Sequence, residues 1–166
     1  MCYLEYAGGK VVPRGVLPTM KRRLRGFEPS RLRAARTAAG LSGAEVARRC
    51  GIGASTYSQW ELGAADPSIS ALARCTKVLN INISDVVIVE REMEHLGDLR
   101  VMRGLTQGEL AKLVGVSPQH VGALERGHVA LSDTLARRVS DELGIDLDRV
   151  VEAYVRVRNR AADVLP

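Results

Sequence analysis

The chain has 166 residues, a formal net charge of +5, 46% hydrophobic and 26% charged side chains. This balance is ordinary for a folded, water-soluble protein. No apolar run approaches the roughly 20 residues of a membrane-spanning helix, and the first residues do not resemble a secretory leader. We therefore expect a cytoplasmic protein with no membrane contact, long enough for one domain or two small ones.

Residues 1–29 are predicted to be a basic arm that is partly flexible. They carry six basic and two acidic side chains, a balance of +4. Four of the basic residues lie close together, at Lys21, Arg22, Arg23 and Arg25. An arm of this kind suits a polyanionic partner, and the alternative is a solvated leader with a few basic residues.

The rest of the chain is a repeat. A shift of 64 positions aligns residues 30–88 with residues 94–152 without a gap. The matched positions include Arg36/Arg100, Gly40/Gly104, Gly51/Gly115, Glu61/Glu125 and Gly63/Gly127. Two copies are too few for a stacked solenoid, which needs three or more units. We therefore predict two domains, at 30–88 and 95–152, each of which closes its own core.

The first block has the signals of five helices. They are predicted at about 30–39, 42–50, 54–62, 69–79 and 84–87. Ser30 is the candidate N-cap of the first helix, and Ser42 with Glu45 has the capping-box spacing for the second. Gly51, Ile52 and Gly53 predict a tight turn into the third helix.

The second block repeats these signals and ends less clearly. Its last helix is predicted to be short, near Asp148–Val151, and residues 153–166 are predicted to be a tail. The stretches 86–89 and 151–158 fit a strand as well as a helix. A strand there would allow two chains to pair, whereas a helix over 85–95, which includes the junction 89–94, would space the blocks.

Few residues suit catalysis or metal binding. The three cysteines, Cys2, Cys50 and Cys75, are odd in number and widely spaced, which argues against a disulfide framework or a zinc site. Cys50 and Cys75 align with valines in the second block, so we expect both to be buried. No histidine has a carboxylate or cysteine partner at catalytic spacing. We expect no enzyme activity, no metal and no cofactor.

One series of motifs occurs in both blocks. The second block contains Arg100-x-x-x-Gly-Leu-Thr-Gln-x-Glu-Leu-Ala, Gly115-Val116-Ser117 and Leu124-Glu125-Arg126-Gly127. The first block contains Arg36-x-x-x-Gly-Leu-Ser-Gly-x-Glu-Val-Ala, Gly51-Ile52-Gly53 and Trp60-Glu61-Leu62-Gly63. In this order the motifs resemble the lambda-repressor/Cro-like (XRE) family of helix-turn-helix domains. The resemblance implies an all-α fold of two tandem five-helix domains that bind double-stranded DNA.

The resemblance also assigns a structural role to one charged pair in each block. In the family, the equivalents of Arg36/Glu61 and Arg100/Glu125 form a partly buried ion pair between the first helix and the third. Removing one partner of a buried pair strands a charge, at a cost of about 3–5 kcal/mol. We assign these four residues to the scaffold and not to DNA contact.

In this fold the third helix enters the major groove and presents its outward side chains to base edges. Tyr57 and Trp60 mark its buried side in the first block. The residues predicted to read bases are Ser55, Thr56, Ser58, Gln59, Gln119, His120 and Ala123. Gln59 and Gln119 are the strongest candidates, because an amide matches adenine N6 and N7. The alternative is a polar helix face that is only solvated.

Phosphate contacts are predicted around the third helix and in the arm. The residues are Gly43, Gln107, Arg126, His128, Lys21, Arg22, Arg23 and Arg25. In the family a glutamine at the position of Gln107 holds the DNA backbone, whereas Gly43 offers only backbone N–H groups. Residues 30–88 carry seven basic and four acidic side chains (+3), and residues 95–151 carry seven and eight (−1). The more basic block therefore has fewer side chains suited to DNA contact, and the less basic block matches the family motif better.

These features predict a sequence-specific transcriptional repressor of bacterial cytoplasm or nucleoid. Two unlike third helices in one chain would read the two half-sites of an asymmetric operator, which favours a monomer on DNA over a homodimer. The alternative is that one module binds DNA while the other mediates dimerisation or protein contact, as the −1 charge of 95–151 suggests. By analogy alone, a phage-type immunity repressor fits this size and domain content.

Overall fold

A computed structural model gives the architecture and describes residues 6–7, 10–11 and 23–162, with side chains for 23–160. Cys2, Lys21 and Arg22 therefore lie outside the described residues, as do residues 163–166. Two short strands, β1 (Tyr6–Ala7) and β2 (Lys10–Val11), pair in antiparallel fashion. The remainder of the described chain is helical apart from its turns and loops, so the predicted all-α class is confirmed.

The helices form two modules along the chain. The first module contains α1 (Pro29–Ala38), α2 (Gly43–Cys50), α3 (Ala54–Glu61), α4 (Ile69–Leu79) and a 3-10 turn at Ile83–Asp85. The second module contains α5 (Leu96–Met102), α6 (Gln107–Val114), α7 (Pro118–Glu125), α8 (Asp133–Leu143) and α9 (Leu147–Ala162). A second 3-10 turn, Arg91–Met93, lies between them.

Three pairs of helices begin and end at the same offset of 64 residues: α2/α6, α3/α7 and α4/α8. Their boundaries follow from local caps. The hydroxyls of Ser42 and Thr106 each accept a hydrogen bond from a backbone N–H three residues on, at 3.2 Å. Gly51 and Gly115 end α2 and α6 at φ +68° and +72°, a left-handed conformation that costs glycine little. The turn that precedes the third helix is thus the same in both modules.

Each module has its own apolar core. Leu32 and Val46 are fully buried in the first, and their counterparts Leu96 and Leu110 are buried in the second. The predicted burial of Cys50 and Cys75 is confirmed, since both are almost inaccessible to solvent. Burial raises the pKa of the Cys75 thiol, so this side chain behaves as a small apolar group.

The predicted cap of the first helix is wrong. Helix α1 begins at Pro29, its N-cap is Glu28, and Ser30 lies within its first turn. The physical reason is the proline, whose fixed φ and missing N–H suit the first helical position. The helix therefore starts two residues earlier than an N-cap at Ser30 would place it.

The end of the chain also differs from the prediction. Helix α9 replaces both the short helix near 148–151 and the first ten residues of the predicted tail. Val150, Ala153 and Val157 are buried at spacings of three and four, which is the periodicity of one helix face. The valine–arginine alternation over 155–158 suggested a strand, but the helical spacing determines what is buried.

The stretch 86–95 contains neither a regular strand nor a long helix, and its 3-10 turn is only three residues long. Phe27 and Val87 form an isolated antiparallel bridge, and Ile88 N donates to Gly26 O at 2.7 Å. Leu24 and Phe27 pack against the first core. Residues 24–28 of the predicted flexible arm are therefore an ordered part of the first module.

The two modules are in contact with one another. Val101 of α5 is 9% exposed and packs within the core of the first module. The turn that follows α5 approaches the first module closely, because a Cβ added at Gly104 would lie 2.9 Å from Ile83 Cδ1 and 3.2 Å from Ala73 Cβ. This interface holds α5 against α4 and the first 3-10 turn.

Candidate nucleic-acid interface

The charged pair of the first module joins α1 to the end of α3. Arg36 Nε donates to Glu61 Oε1 at 2.6 Å, and Arg36 Nη2 donates to Glu61 Oε2 at 3.1 Å. Arg36 Nη1 also donates to the Leu41 carbonyl at 3.0 Å. The hydrogen bonds that Arg36 donates to Glu61, first among several causes, raise the pKa of the Arg36 guanidinium, which stays charged. One guanidinium thus fixes both the third helix and the turn before α2.

The second module repeats this arrangement, and its glutamate accepts one further hydrogen bond from a side chain. Arg100 donates twice to the Glu125 carboxylate, at 2.5 and 3.1 Å, and once to the Leu105 carbonyl at 2.6 Å. Gln107 Nε2 donates to Glu125 Oε2 at 2.7 Å. The Gln107 side chain is therefore held at the start of α6, directly beside the third helix.

The outward side of α3 is free of contacts with the core. Ser55, Thr56, Ser58 and Gln59 are all exposed, whereas Tyr57 and Trp60 are buried. The four predicted readers of this module therefore share one accessible helix face. A partner that lies along α3 would meet two small hydroxyl side chains near its start and an amide near its end.

The outward side of α7 has a different shape and chemistry. Gln119 is exposed, His120 and Ala123 are half-buried, and Gly122 is buried. A Cβ added at Gly122 would lie 3.2 Å from Arg126 Nη1 and 3.5 Å from Gln107 Oε1. The missing side chain thus leaves room for Arg126 to fold back along α7 beside Gln107. Gly122 is not among the predicted readers, although it aligns with the predicted reader Ser58.

The predicted phosphate residues fall into separate groups. Gln107 and Arg126 lie together, exposed His128 follows α7, and Gly43 begins α2. Lys21 and Arg22 are outside the described residues. Arg23 is exposed and lies beside the loop Gly63–Ser68 that follows α3.

Arg25 requires a correction, because it is not on a flexible arm. Its Nη1 lies 2.6 Å from Asp98 Oδ2 and 2.8 Å from His95 Nδ1, and its Nη2 donates to the Met93 carbonyl at 2.8 Å. The guanidinium therefore ties the first module to the start of α5. The partner, Asp98, lies 73 residues further along the chain, so the local basic cluster could not predict this contact.

The two modules fill the space beside the third helix differently. In the second module this space holds the Gln107 side chain, which donates to Glu125. In the first, a Cβ added at Gly43 would lie 3.6 Å from the ring of Tyr57, which aligns with Val121. The tyrosine ring thus occupies the side of α2 from which Gln107 reaches the glutamate of its own module. Sequence analysis assigned Tyr57 to the core but did not connect it with the loss of the glutamine.

Positive charge on the first module is partly neutralised within the module. Arg48 and Arg49 both bind the Glu45 carboxylate, with closest distances of 2.8 and 2.6 Å. Hydrogen bonds from Arg48 and then Arg49 lower the pKa of Glu45 to about 2, so this carboxylate is charged at neutral pH. The +3 of the block already includes Glu45, so this pairing sets where the charge lies and leaves the total unchanged.

Two kinds of feature are absent from the described residues. They contain no cluster of three or more His, Cys, Asp or Glu side chains that could hold a metal ion. Within the same residues, no helix has both the length and the apolar character needed to cross a membrane.

A glycine turn between two short helices, followed by an exposed polar face on the third, defines a helix-turn-helix DNA-binding protein. A helix-turn-helix family model matches the chain twice, at residues 32–86 and 96–150. The chain therefore belongs to the lambda-repressor-like (XRE) helix-turn-helix family, and it is a DNA-binding transcription regulator. That family is not one of enzymes. No curated protein sequence matches the chain.

Proposed function

We propose that the protein is a repressor that binds one asymmetric operator as a monomer, with α3 on one half-site and α7 on the other. The observation that carries the proposal is the difference between the two outward helix faces. All four reading positions differ between the modules: Ser55/Gln119, Thr56/His120, Ser58/Gly122 and Gln59/Ala123. Two unlike faces favour two unlike half-sites.

The contact between the modules supports binding by a single chain. Because Val101 lies in the first core, the two third helices belong to one folded unit and not to two tethered domains. A second module that is already in position raises the effective concentration of its contact, which yields a gain of about 10²–10⁴ in affinity. Occupancy of an operator that overlaps a promoter would then exclude RNA polymerase.

The test begins with selection from random duplexes by the purified full chain, followed by footprinting and the mass of the complex. We expect a motif in two parts that is not palindromic, with one chain on each site. Transcription from a promoter that overlaps the motif should fall when the protein is added. Two chains on each site, or a perfect palindrome, would contradict the proposal.

Matched substitutions assign each half-site to a module. Gln59→Ala should weaken one half-site and Gln119→Ala the other, each by about 1–3 kcal/mol if the amide pairs with a base. Asn159→Ala, at an exposed position on α9, is the control and should change neither. If both glutamine variants keep the affinity and base preference of the wild type, the assigned readers are wrong.

A second candidate function has one observation in its favour. Residues 95–151 carry a net charge of −1, which is unfavourable for a polyanion partner. In this alternative only the first module binds DNA, while the second binds protein or a second chain. The double variant Gln119→Ala/Arg126→Ala separates the two cases. An unchanged footprint and affinity would favour the alternative, and loss of one half of the footprint would exclude it.

A further inference from the structure

The interface between the modules uses different surfaces of the same fold. The first module contributes Ala73 of α4 and Ile83 of the 3-10 turn. The second contributes Val101 of α5 and the turn at Gly104. The interface is therefore head-to-tail, with the late elements of one copy against the early elements of the next.

The equivalent surfaces at the outer ends are not used in this way. Thr37 aligns with Val101 and is exposed, and a Cβ added at Gly40, the counterpart of Gly104, would have no neighbour within 4 Å. Arg137 aligns with Ala73 and is exposed as well. Thus Val101 and Ala73 are apolar or small where the modules meet, and the residues at the same positions of the other copy are polar and exposed to solvent.

The head-to-tail interface determines how the two third helices are related in space. A palindrome has two-fold symmetry, and two copies of one fold read it in the same way only when a two-fold axis relates them. Such an axis produces an isologous interface, in which both copies contribute the same surface. A head-to-tail interface has no such axis, so α3 and α7 are not related as the two recognition helices of a palindrome reader.

The segment at Arg23 connects the DNA-facing ends of the two modules. Arg23 lines a groove with the loop Gly63–Ser68, which follows α3. It also lines the groove between the modules, together with Ile69 and with Gln107 and Pro118 at the starts of α6 and α7. The elements around both third helices therefore meet along one continuous surface of the described chain.

We infer that the two modules read half-sites in the same orientation along the duplex, as a direct repeat with one fixed spacing. The inference rests on the proposed function, because both modules must bind DNA. Its physical basis is the head-to-tail interface, which relates the modules by a displacement along the duplex with a rotation about it. Arg23 then lies over the phosphates between the half-sites.

Orientation cannot be read from unlike half-sites, so the experiment makes the two readers alike. The variant carries Gln119→Ser, His120→Thr, Gly122→Ser and Ala123→Gln, which gives α7 the outward residues of α3. Random-site selection with this full-length variant should return one half-site twice, in the same orientation. The centre-to-centre spacing should be constant, at about 10–10.5 bp or a multiple of it.

The outcomes separate this inference from the function on which it rests. An inverted repeat, or repeats of mixed orientation, would overturn the inference while the proposed function stands. If wild-type protein selects no motif, both are overturned. Circular dichroism of the variant checks that the helical content of the wild type is kept, and a variant with reduced helicity is replaced by the reciprocal exchange, which places the outward residues of α7 on α3.

A second pair of variants tests the role of the interface. Gly104→Asn and Gly40→Asn both place a residue that tolerates positive φ at equivalent turns, but only the first meets Ile83 and Ala73. Gly104→Asn should lose the fixed spacing and about 10²-fold or more in affinity for the two-part site, whereas Gly40→Asn should keep both. Equal behaviour of the two variants would overturn the inference.

Discussion

At the scale of single residues, the arginine of each charged pair serves as a clamp between three parts of its module. Arg100 binds the Glu125 carboxylate through two nitrogens and the Leu105 carbonyl through the third. Its side chain is 7% exposed, against 20% for Arg36. The greater burial of Arg100 makes its contacts harder for water to replace.

Arg100→Leu should therefore destabilise the second module strongly. The substitution leaves the Glu125 carboxylate, which is 10% exposed, with only the Gln107 amide as a hydrogen-bonding partner. Breaking a buried pair in this way costs about 3–5 kcal/mol, to be measured by urea unfolding. The double variant Arg100→Leu/Glu125→Leu is the control and should recover part of the loss. A changed base preference with unchanged stability would mean that Arg100 contacts DNA.

At the scale of elements, the start of α5 is fixed from two sides. On one side Arg25 binds Asp98, His95 and the Met93 carbonyl. On the other side Arg149 of α9 makes a bidentate contact with buried Glu94, at 2.6 and 2.9 Å. Arg156 Nε also donates to the Glu94 carbonyl at 2.7 Å, so the junction is held by Arg25 of the first module and by two arginines of the second.

The brace at His95 predicts a dependence of stability on pH. Burial, and next the Arg25 charge, lower the pKa of His95 below its usual 6.5. A histidine with a lowered folded pKa contributes stability that is complete above the unfolded value and is lost as the pH falls from that value through the folded pKa. The melting temperature should therefore fall between pH 7.5 and pH 5.5, and His95→Gln should reduce that fall.

Exposed His128 provides the matched control for this measurement. His128→Gln should leave the pH dependence of the melting temperature at the wild-type value. If His95→Gln and His128→Gln give the same pH dependence, His95 does not contribute through its titration.

The elements that the sequence predicted well are those with local causes. Helices α2, α3, α6 and α7 follow from caps and glycine turns that lie within a few residues of each other. The predictions were wrong where a contact with a distant residue determines the local structure. Arg25 finds Asp98, 73 residues away, and α9 continues past 152 because Val157 packs as part of its buried face. The exposed face of α3 follows from this same local pattern, whereas the room that Gly122 leaves for Arg126 is visible only in the folded chain.

At the scale of the whole molecule, two copies of one fold have become a single unit through changes at a few positions. Val101 replaces the exposed threonine of the first copy and enters the neighbouring core. Ala73 stands where the second copy has an exposed arginine. An arginine at 73 would meet the turn at Gly104, so the interface requires a small residue at this position.

This arrangement predicts that the modules unfold together, and one pair of substitutions tests it. Val101→Asp places a charge in the first core, a burial that costs several kcal/mol without a partner, while Thr37→Asp places the same charge at the equivalent exposed position. Differential scanning calorimetry should show one transition for the wild type and for Thr37→Asp. Val101→Asp should give two transitions, because Val101 is not part of the second core, so separated modules can each retain a core. A single transition at the wild-type temperature in Val101→Asp would mean that Val101 does not couple the modules, and two transitions in the wild type would mean that the modules unfold separately, so that a rigid direct-repeat reader would lose its mechanical basis.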